Sequence, residues 1–230
     1  HAVSSRLREG QVTVVGNGSA CVVGGHAYII KKGQRFITNS AIASMGYDLP
    51  AAIGAWTASR DKGCYCQGGD RSGDDLILVT GDGSMQMNLQ ELQTIIHHRM
   101  GIKIFVINNG GYHSIRQTQK NFFGEPLIGI GVDSGDLSFP ALDKLAAAYG
   151  CPYVSARHNS ELGEAVEKTL AAEGPVICEV FVSMDQNFEP KSSAKRLPDG
   201  TMVSPPLEDL SPFLPDEEMD ENMIIPRIKG

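Results

Sequence analysis

One aspartate stands between two glycines at Gly81-Asp82-Gly83-Ser84, and two adjacent asparagines, Asn108-Asn109, are followed by Gly110-Gly111. Each cluster comes directly after an apolar, β-branched run: DLILVT (75–80) and IKIFVI (102–107). Both runs read as buried strands. In open parallel sheets ligands bind beyond the carboxyl ends of the strands. If the two strands are neighbours, Asp82 and the asparagines meet at one rim. A carboxylate, an amide oxygen and nearby carbonyls are hard donors, suited to Mg²⁺ or Ca²⁺ rather than zinc. They are too few for an all-protein cage, so a phosphate is expected to share the ion. Gly81 and Gly83 would let the backbone approach that phosphate, with Ser84 as a donor. Gly110 and Gly111 suit a turn that needs positive φ. The helix starting near Tyr112 would aim its N–H groups at the same anion. GDG alone is a common turn and Asn-Gly a common loop; it is their joint placement after two strands that carries information.

Stepping outward, further apolar runs fall at 11–15, 35–38, 153–156 and 176–182. Helical segments are expected at 41–59, 87–99, 112–121, 139–149 and 161–172, from apolar spacing and small-residue content. Strands that are continuously apolar and alternate with helices indicate a parallel sheet covered on both faces. The expectation is an α/β fold of three layers, α/β/α, with a mostly parallel sheet. It should occupy residues 1–185. From 186 to 230 prolines mix with acids, which predicts an extended, Pro-rich tail.

The chain has 230 residues, 41% of them hydrophobic, and a formal net charge of −7. This acidic balance argues against nucleic acid and anionic membranes as partners. No apolar run is long enough to span a bilayer, and the first residues lack a signal-peptide core. A cytoplasmic location follows as the expectation. Five cysteines are present, three of them isolated in apolar surroundings, where they read as small core hydrophobes. Cys64 and Cys66 lie in a Gly- and Asp-rich stretch read as a surface insertion, with a metal or redox site as the alternative. The chain opens on His1 rather than Met, so we read it as a processed product, a fragment or a separate subunit.

GDGS followed by Asn108-Asn109 resembles the metal–diphosphate motif of thiamine diphosphate-dependent enzymes. SMGYDLPAAIGAW (44–56) and MNLQELQTI (87–95) make the chain similar to the acetolactate synthase group, over most of 12–182. The tail, with FEPKSSAKRLPDG, resembles acetolactate synthase-like proteins of bacterial surface-sugar clusters. The resemblance implies Asp82, Asn109 and the Gly111 carbonyl as Mg²⁺ ligands. It implies Gly81, Gly83, Ser84 and Tyr112, with the loop Asn17-Gly18-Ser19, as diphosphate-binding positions. Met45 would bend the thiamine, and the Ala43 carbonyl would accept a hydrogen bond from its amino group. Tyr112, His113 and Arg116 would face substrate. The stretch Gly-Gly-Tyr-His-Ser-Ile-Arg departs here from the group's Gln-His-Leu-Gly-Met, which leaves the acetolactate reaction itself open. The activating Glu of the family belongs to a pyrimidine-binding domain, on the same or a partner chain, and no segment here matches it. The resemblance therefore implies half a site: a 2-oxo acid decarboxylase or carboligase part, working in a homodimer or homotetramer and inactive alone. A flavin would bind mainly outside this domain and is left undecided. The alternatives are a non-catalytic diphosphate-binding module and a decarboxylase subunit that needs a partner chain.

Overall fold

Alternation within the strands accounts for the layering. In β3 (Leu76–Gly81), Leu76 and Leu78 fall on one face of the sheet, and Ile77 and Val79 on the other. Both sets are apolar, so each face must be covered. A computed structural model describes residues 1–60 and 75–227, and it shows how this is done. The segment holding Cys64 and Cys66 lies outside the described residues.

In chain order the elements are β1 (Val12–Val15), α1 (Ser19–Ala27), β2 (Arg35–Thr38), α2 (Asp48–Arg60), β3, α3 (Asp82–Gln86) and α4 (Glu91–His97). There follow β4 (Ile102–Asn108), α5 (His113–Phe122), α6 (Leu142–Tyr149), β5 (Tyr153–Ala156), α7 (Asn159–Ala171) and β6 (Val176–Phe181). The six strands pair in the order β2-β1-β3-β4-β6-β5, every pair parallel. The three-layer α/β/α architecture expected from the sequence is therefore present. Leu49 and Ala52 of α2, Leu92 and Ile95 of α4, and Leu142 and Ala146 of α6 pack with Val14, Leu78, Ile104 and Ile177. On the other face, Ala165 and Val166 of α7 pack with Ile77, Phe105 and Cys178. Strand order reverses between β1 and β3, which makes their carboxyl ends the topological switch point. No helix among the described residues is long and apolar enough to cross a membrane.

Three helices are shorter than their composition suggests. The 41–59 segment becomes helical only at Asp48. Before it, Ala43 has φ 55° and Gly46 φ 82°, both outside the helical region. Tertiary partners replace helical ones there. The Gly46 N–H donates to Ser84 Oγ at 3.0 Å, and Asn88 Nδ2 donates to the Gly46 carbonyl at 2.6 Å. The 87–99 segment contributes only α4, preceded by a turn. The 139–149 segment begins its helix after Pro140.

Contacts divide the chain into two compact units, His1–Gln186 and Asn187–Gly230. The second holds a short antiparallel pair, β7 (Lys195–Arg196) with β8 (Met202–Val203), and α8 (Asp216–Asn222). Within the segment that composition marks as an extended tail these short elements give local order. Lys195 pairs with Asp209 at 3.6 Å and sits 4.9 Å from the Phe213 ring centre.

Candidate metal centre

Register places the two clusters side by side. Gly81 pairs with Ile107, so Asp82 leaves β3 level with the point where Asn108 and Asn109 leave β4. Asp82 is buried. Its Oδ1 accepts from the Gly83 N–H at 2.9 Å and its Oδ2 from the Gly111 N–H at 3.0 Å. Among the described residues it has no ion-pair partner. Asn109 is also buried, and its Nδ2 donates to Ser19 Oγ at 2.7 Å. Asn109 Oδ1 is buried with no hydrogen-bond partner. Leaving such an acceptor unmet costs about 1–3 kcal/mol. A hard cation shared by Asp82 and Asn109 would satisfy both groups, and the donor set fits Mg²⁺. No trio of His, Cys, Asp and Glu that could hold a metal occurs among the described residues.

Burial pushes the Asp82 carboxyl up to about 6 from its ordinary 3.8, against the pull of the Gly83, Gly111 and Gly110 N–H groups and of Arg116. A carboxyl raised by folding is protonated more readily in the native state. Its contribution to stability is therefore complete below pH 3.8 and is lost as pH rises to about 6. The metal-free chain is expected to lose on the order of 2–3 kcal/mol across that window. Saturating Mg²⁺ with thiamine diphosphate should flatten the loss, because metal binding requires the ionised carboxylate. Urea unfolding from pH 4 to pH 7, with and without these ligands, checks this. A metal-free stability that rises over the window would contradict it.

The glycines fall into two groups. At Gly81 and Gly18 an added Cβ would meet nothing within 4 Å, so open space lies above both backbones. Gly81 has ordinary extended angles, and nothing among the described residues requires a glycine there. Gly83 is different. A Cβ on it would sit 2.4 Å from the Tyr112 ring, which packs edge-on to Phe139 at 5.7 Å. The absence of a side chain at 83 makes room for Tyr112. Gly111 has φ 141°, and its Cβ would fall 2.0 Å from the Ile130 carbonyl oxygen. Facing it, a Cβ on Gly131 would fall 2.1 Å from the Gly110 carbonyl oxygen. The two glycines form an antiparallel bridge that brings the segment after α5 onto the Asn109–Gly111 turn. The Gly111 carbonyl accepts from the His113 N–H at 3.1 Å.

The remaining expected residues separate. Asn17 Nδ2 donates to the Ala43 carbonyl, which brings two of them together, and Met45 is half-buried in the same loop. Ser19 is drawn to Asn109. The Ser84 hydroxyl donates to Asp48 Oδ1 at 2.9 Å, so it is already committed within the chain. His113 and Arg116 were expected to face substrate, and both are buried behind the turn. Arg116 makes a two-pronged pair with Asp133, Nε–Oδ2 2.8 Å and Nη2–Oδ1 2.9 Å. It also donates to the carbonyls of Asn109 at 3.3 Å and Gly110 at 3.2 Å. His113 Nε2 meets the Gln186 carbonyl at 2.7 Å, and its Nδ1 accepts from Arg116 at 3.2 Å. Arg116 is thus committed to acceptors within the chain, as five donors require once the side chain is buried.

Sequence reading missed three residues. Asp48 is fully buried at the start of α2. Glu179 is buried in β6 and accepts from Asn108 Nδ2 at 2.6 Å and from the Tyr153 hydroxyl. Asn108 Oδ1 in turn accepts from the Gly110 N–H at 3.0 Å, so the first asparagine shapes the turn that the second occupies. Glu179 left a signal: an acid inside the apolar run VICEVF must be paired. Asp133 left none. A cavity of about 450 Å³ opens beside the clamp, lined by Asp82, Asn108, Phe139, Asp143, Tyr153 and Glu179, among others.

Residues 16–180 match the family described as "Thiamine pyrophosphate enzyme, C-terminal TPP binding domain". The chain is 31% identical over 157 residues to the acetolactate synthase of Arthrospira platensis, covering 68% of this chain and 24% of that one. It is 33% identical over 156 residues to the acetolactate synthase large subunit of Cyanidium caldarium, with 68% and 24% covered. To the Escherichia coli K12 acetolactate synthase isozyme 2 large subunit it is 30% identical over 178 residues, with 77% and 29% covered. The chain thus spans about a quarter of the length of these relatives.

Proposed function

The chain belongs to the thiamine pyrophosphate enzymes, matching their C-terminal TPP-binding domain, and on that premise we propose that it forms the Mg²⁺–diphosphate half of an acetolactate synthase-like active site acting on a 2-oxo acid. The observation that carries this reading is the partnerless Asn109 Oδ1, buried on the strand end next to Asp82. Asp82 and Asn109 would ligate Mg²⁺, with the Gly111 carbonyl as a third donor. Backbone N–H groups of Gly83 and Ser84 and the loop Asn17–Ser19 would hold the diphosphate. Met45 and Ala43 would support the thiamine rings. The chemistry that thiamine diphosphate supplies when bound is a nucleophilic carbon and an electron sink for decarboxylation, carboligation or both. The part played by this chain is to bind, orient and desolvate.

The activating Glu comes, in this reading, from a pyrimidine-binding domain of the same or a partner chain, within a cytoplasmic homo-oligomer. The 230-residue chain by itself is then expected to bind the cofactor weakly and to show no turnover. Calorimetry with thiamine diphosphate, with and without Mg²⁺ and with and without a pyrimidine-domain polypeptide, tests this. Binding that requires Mg²⁺ and tightens with the second polypeptide is expected. No Mg²⁺-dependent binding even with that polypeptide present would end the reading, as would normal pyruvate turnover by the chain alone.

A further inference from the structure

Asp48 has no role in that assignment, yet it is completely buried and, among the described residues, forms no ion pair. Its carboxylate accepts from the Thr80 hydroxyl and from Ser84 Oγ at 2.9 Å. Thr80 stands two residues before Asp82 and Ser84 two residues after it, so one carboxylate grips the Gly-Asp-Gly-Ser turn on both sides of Asp82. Two further loops converge here. Ser84 Oγ accepts from the Gly46 N–H at 3.0 Å, which anchors the segment carrying Ala43 and Met45. Gly16 lies so close that a Cβ would be 2.3 Å from Asp48 Oδ2. Gly16 opens the loop to Ser19, whose hydroxyl holds Asn109. All three loops of the cradle therefore touch one side chain or its immediate partner. Burying a carboxylate whose partners are two hydroxyls and its own backbone N–H, with no cation, is costly. Burial pushes its pKa up, and the two hydroxyls oppose that. A core position alone would be served better by an apolar residue.

Resting on the metal–diphosphate reading above, we propose that Asp48 is a positioning residue for that cradle. It accepts the hydrogen bond of the Ser84 hydroxyl, so that Ser84 serves the diphosphate through its backbone N–H and not through its side chain. Asp48 thereby fixes the loops after β1 and β3 and before α2 in one arrangement.

Mn²⁺ replaces Mg²⁺ in the test, with thiamine diphosphate added and free Mn²⁺ read by electron spin resonance on the full chain. Wild type is expected to bind Mn²⁺ more tightly with thiamine diphosphate, and Asp82→Asn to lose this. Asp48→Asn and Ser84→Ala are each expected to weaken binding about tenfold, the usual scale for groups behind a ligand. The double variant should fall well short of the product of the two losses, because the two residues share one hydrogen bond. Wild-type affinity in Asp48→Asn, or losses that multiply to roughly 100-fold, overturns the proposal. If Asp48→Asn does not fold by circular dichroism, Thr80→Val decides: several-fold weaker binding, restored in Thr80→Ser, is expected, and unchanged affinity overturns the proposal. Absence of thiamine diphosphate-dependent Mn²⁺ binding in wild type, even with a pyrimidine-domain polypeptide supplied, instead defeats the reading on which it rests.

Discussion

Asp82→Asn is expected to weaken thiamine diphosphate-dependent Mg²⁺ binding by more than about 100-fold, because groups merely behind a ligand already account for 10–100-fold. The same change is expected to stabilise the metal-free chain at pH 7. Asp82 is buried, its carboxyl is raised to about 6, and no cation pairs with it among the described residues. Its ionisation therefore opposes folding at neutral pH. An isosteric neutral amide removes that charge; its oxygen still accepts from one N–H while its NH₂ faces the other donor, which offsets part of the gain. A gain of roughly 1–2 kcal/mol follows, or several degrees in Tm for a chain of this size. Calorimetry and thermal unfolding of the two proteins measure the two effects. Opposite signs are what a site built to receive a cation should give. If Asp82→Asn lowers both affinity and metal-free stability, the carboxylate is a structural acceptor and not a ligand in waiting.

Arg116→Ala carries the largest expected loss of stability. The guanidinium is 1% exposed, and its departure leaves Asp133 and the carbonyls of Asn109 and Gly110 without their donor. Emptying a fully buried side-chain site and leaving two main-chain carbonyls unmet, with Asp133 itself at the surface, costs about 3–5 kcal/mol. Urea and thermal unfolding should show it as a drop of roughly 10 °C. Arg116→Lys should recover only a small part, because one ammonium cannot replace a planar fork that reaches a carboxylate and two carbonyls. Two of these contacts lie on the turn that carries Asn109, so Mg²⁺ affinity should fall in both variants. A Lys variant as stable as wild type would contradict this assignment.

Much of the fold was legible because buried parallel strands write themselves as unbroken apolar runs. All six strands of the sheet fall where the runs do, and the rim position of Asp82 and the asparagines follows from the strand ends. The 41–47 loop was not legible. Its small apolar residues suit a helix, and only the distant Ser84 hydroxyl and Asn88 amide show why the backbone turns away. The structural partners of Arg116 were not legible for a related reason. A charged residue one turn into a helix beside a ligand site looks like a substrate contact until its acceptors, one of them 17 positions further along, come into view. At Gly83 the bare Cα makes room for Tyr112, which the local pattern does not show. In each case the deciding partner is remote in sequence, and local pattern carries no trace of it.

The facing pair Gly111 and Gly131 constrains how this protein can vary. Each position is closed to side chains by a main-chain carbonyl next to the other, not by the other's side chain. No substitution at one can therefore relieve a substitution at the other, and the usual route of paired, compensating exchange is shut. The two residues must be inherited unchanged together, and the span 111–131 between them can drift in sequence only so far as it still returns its end to the clamp.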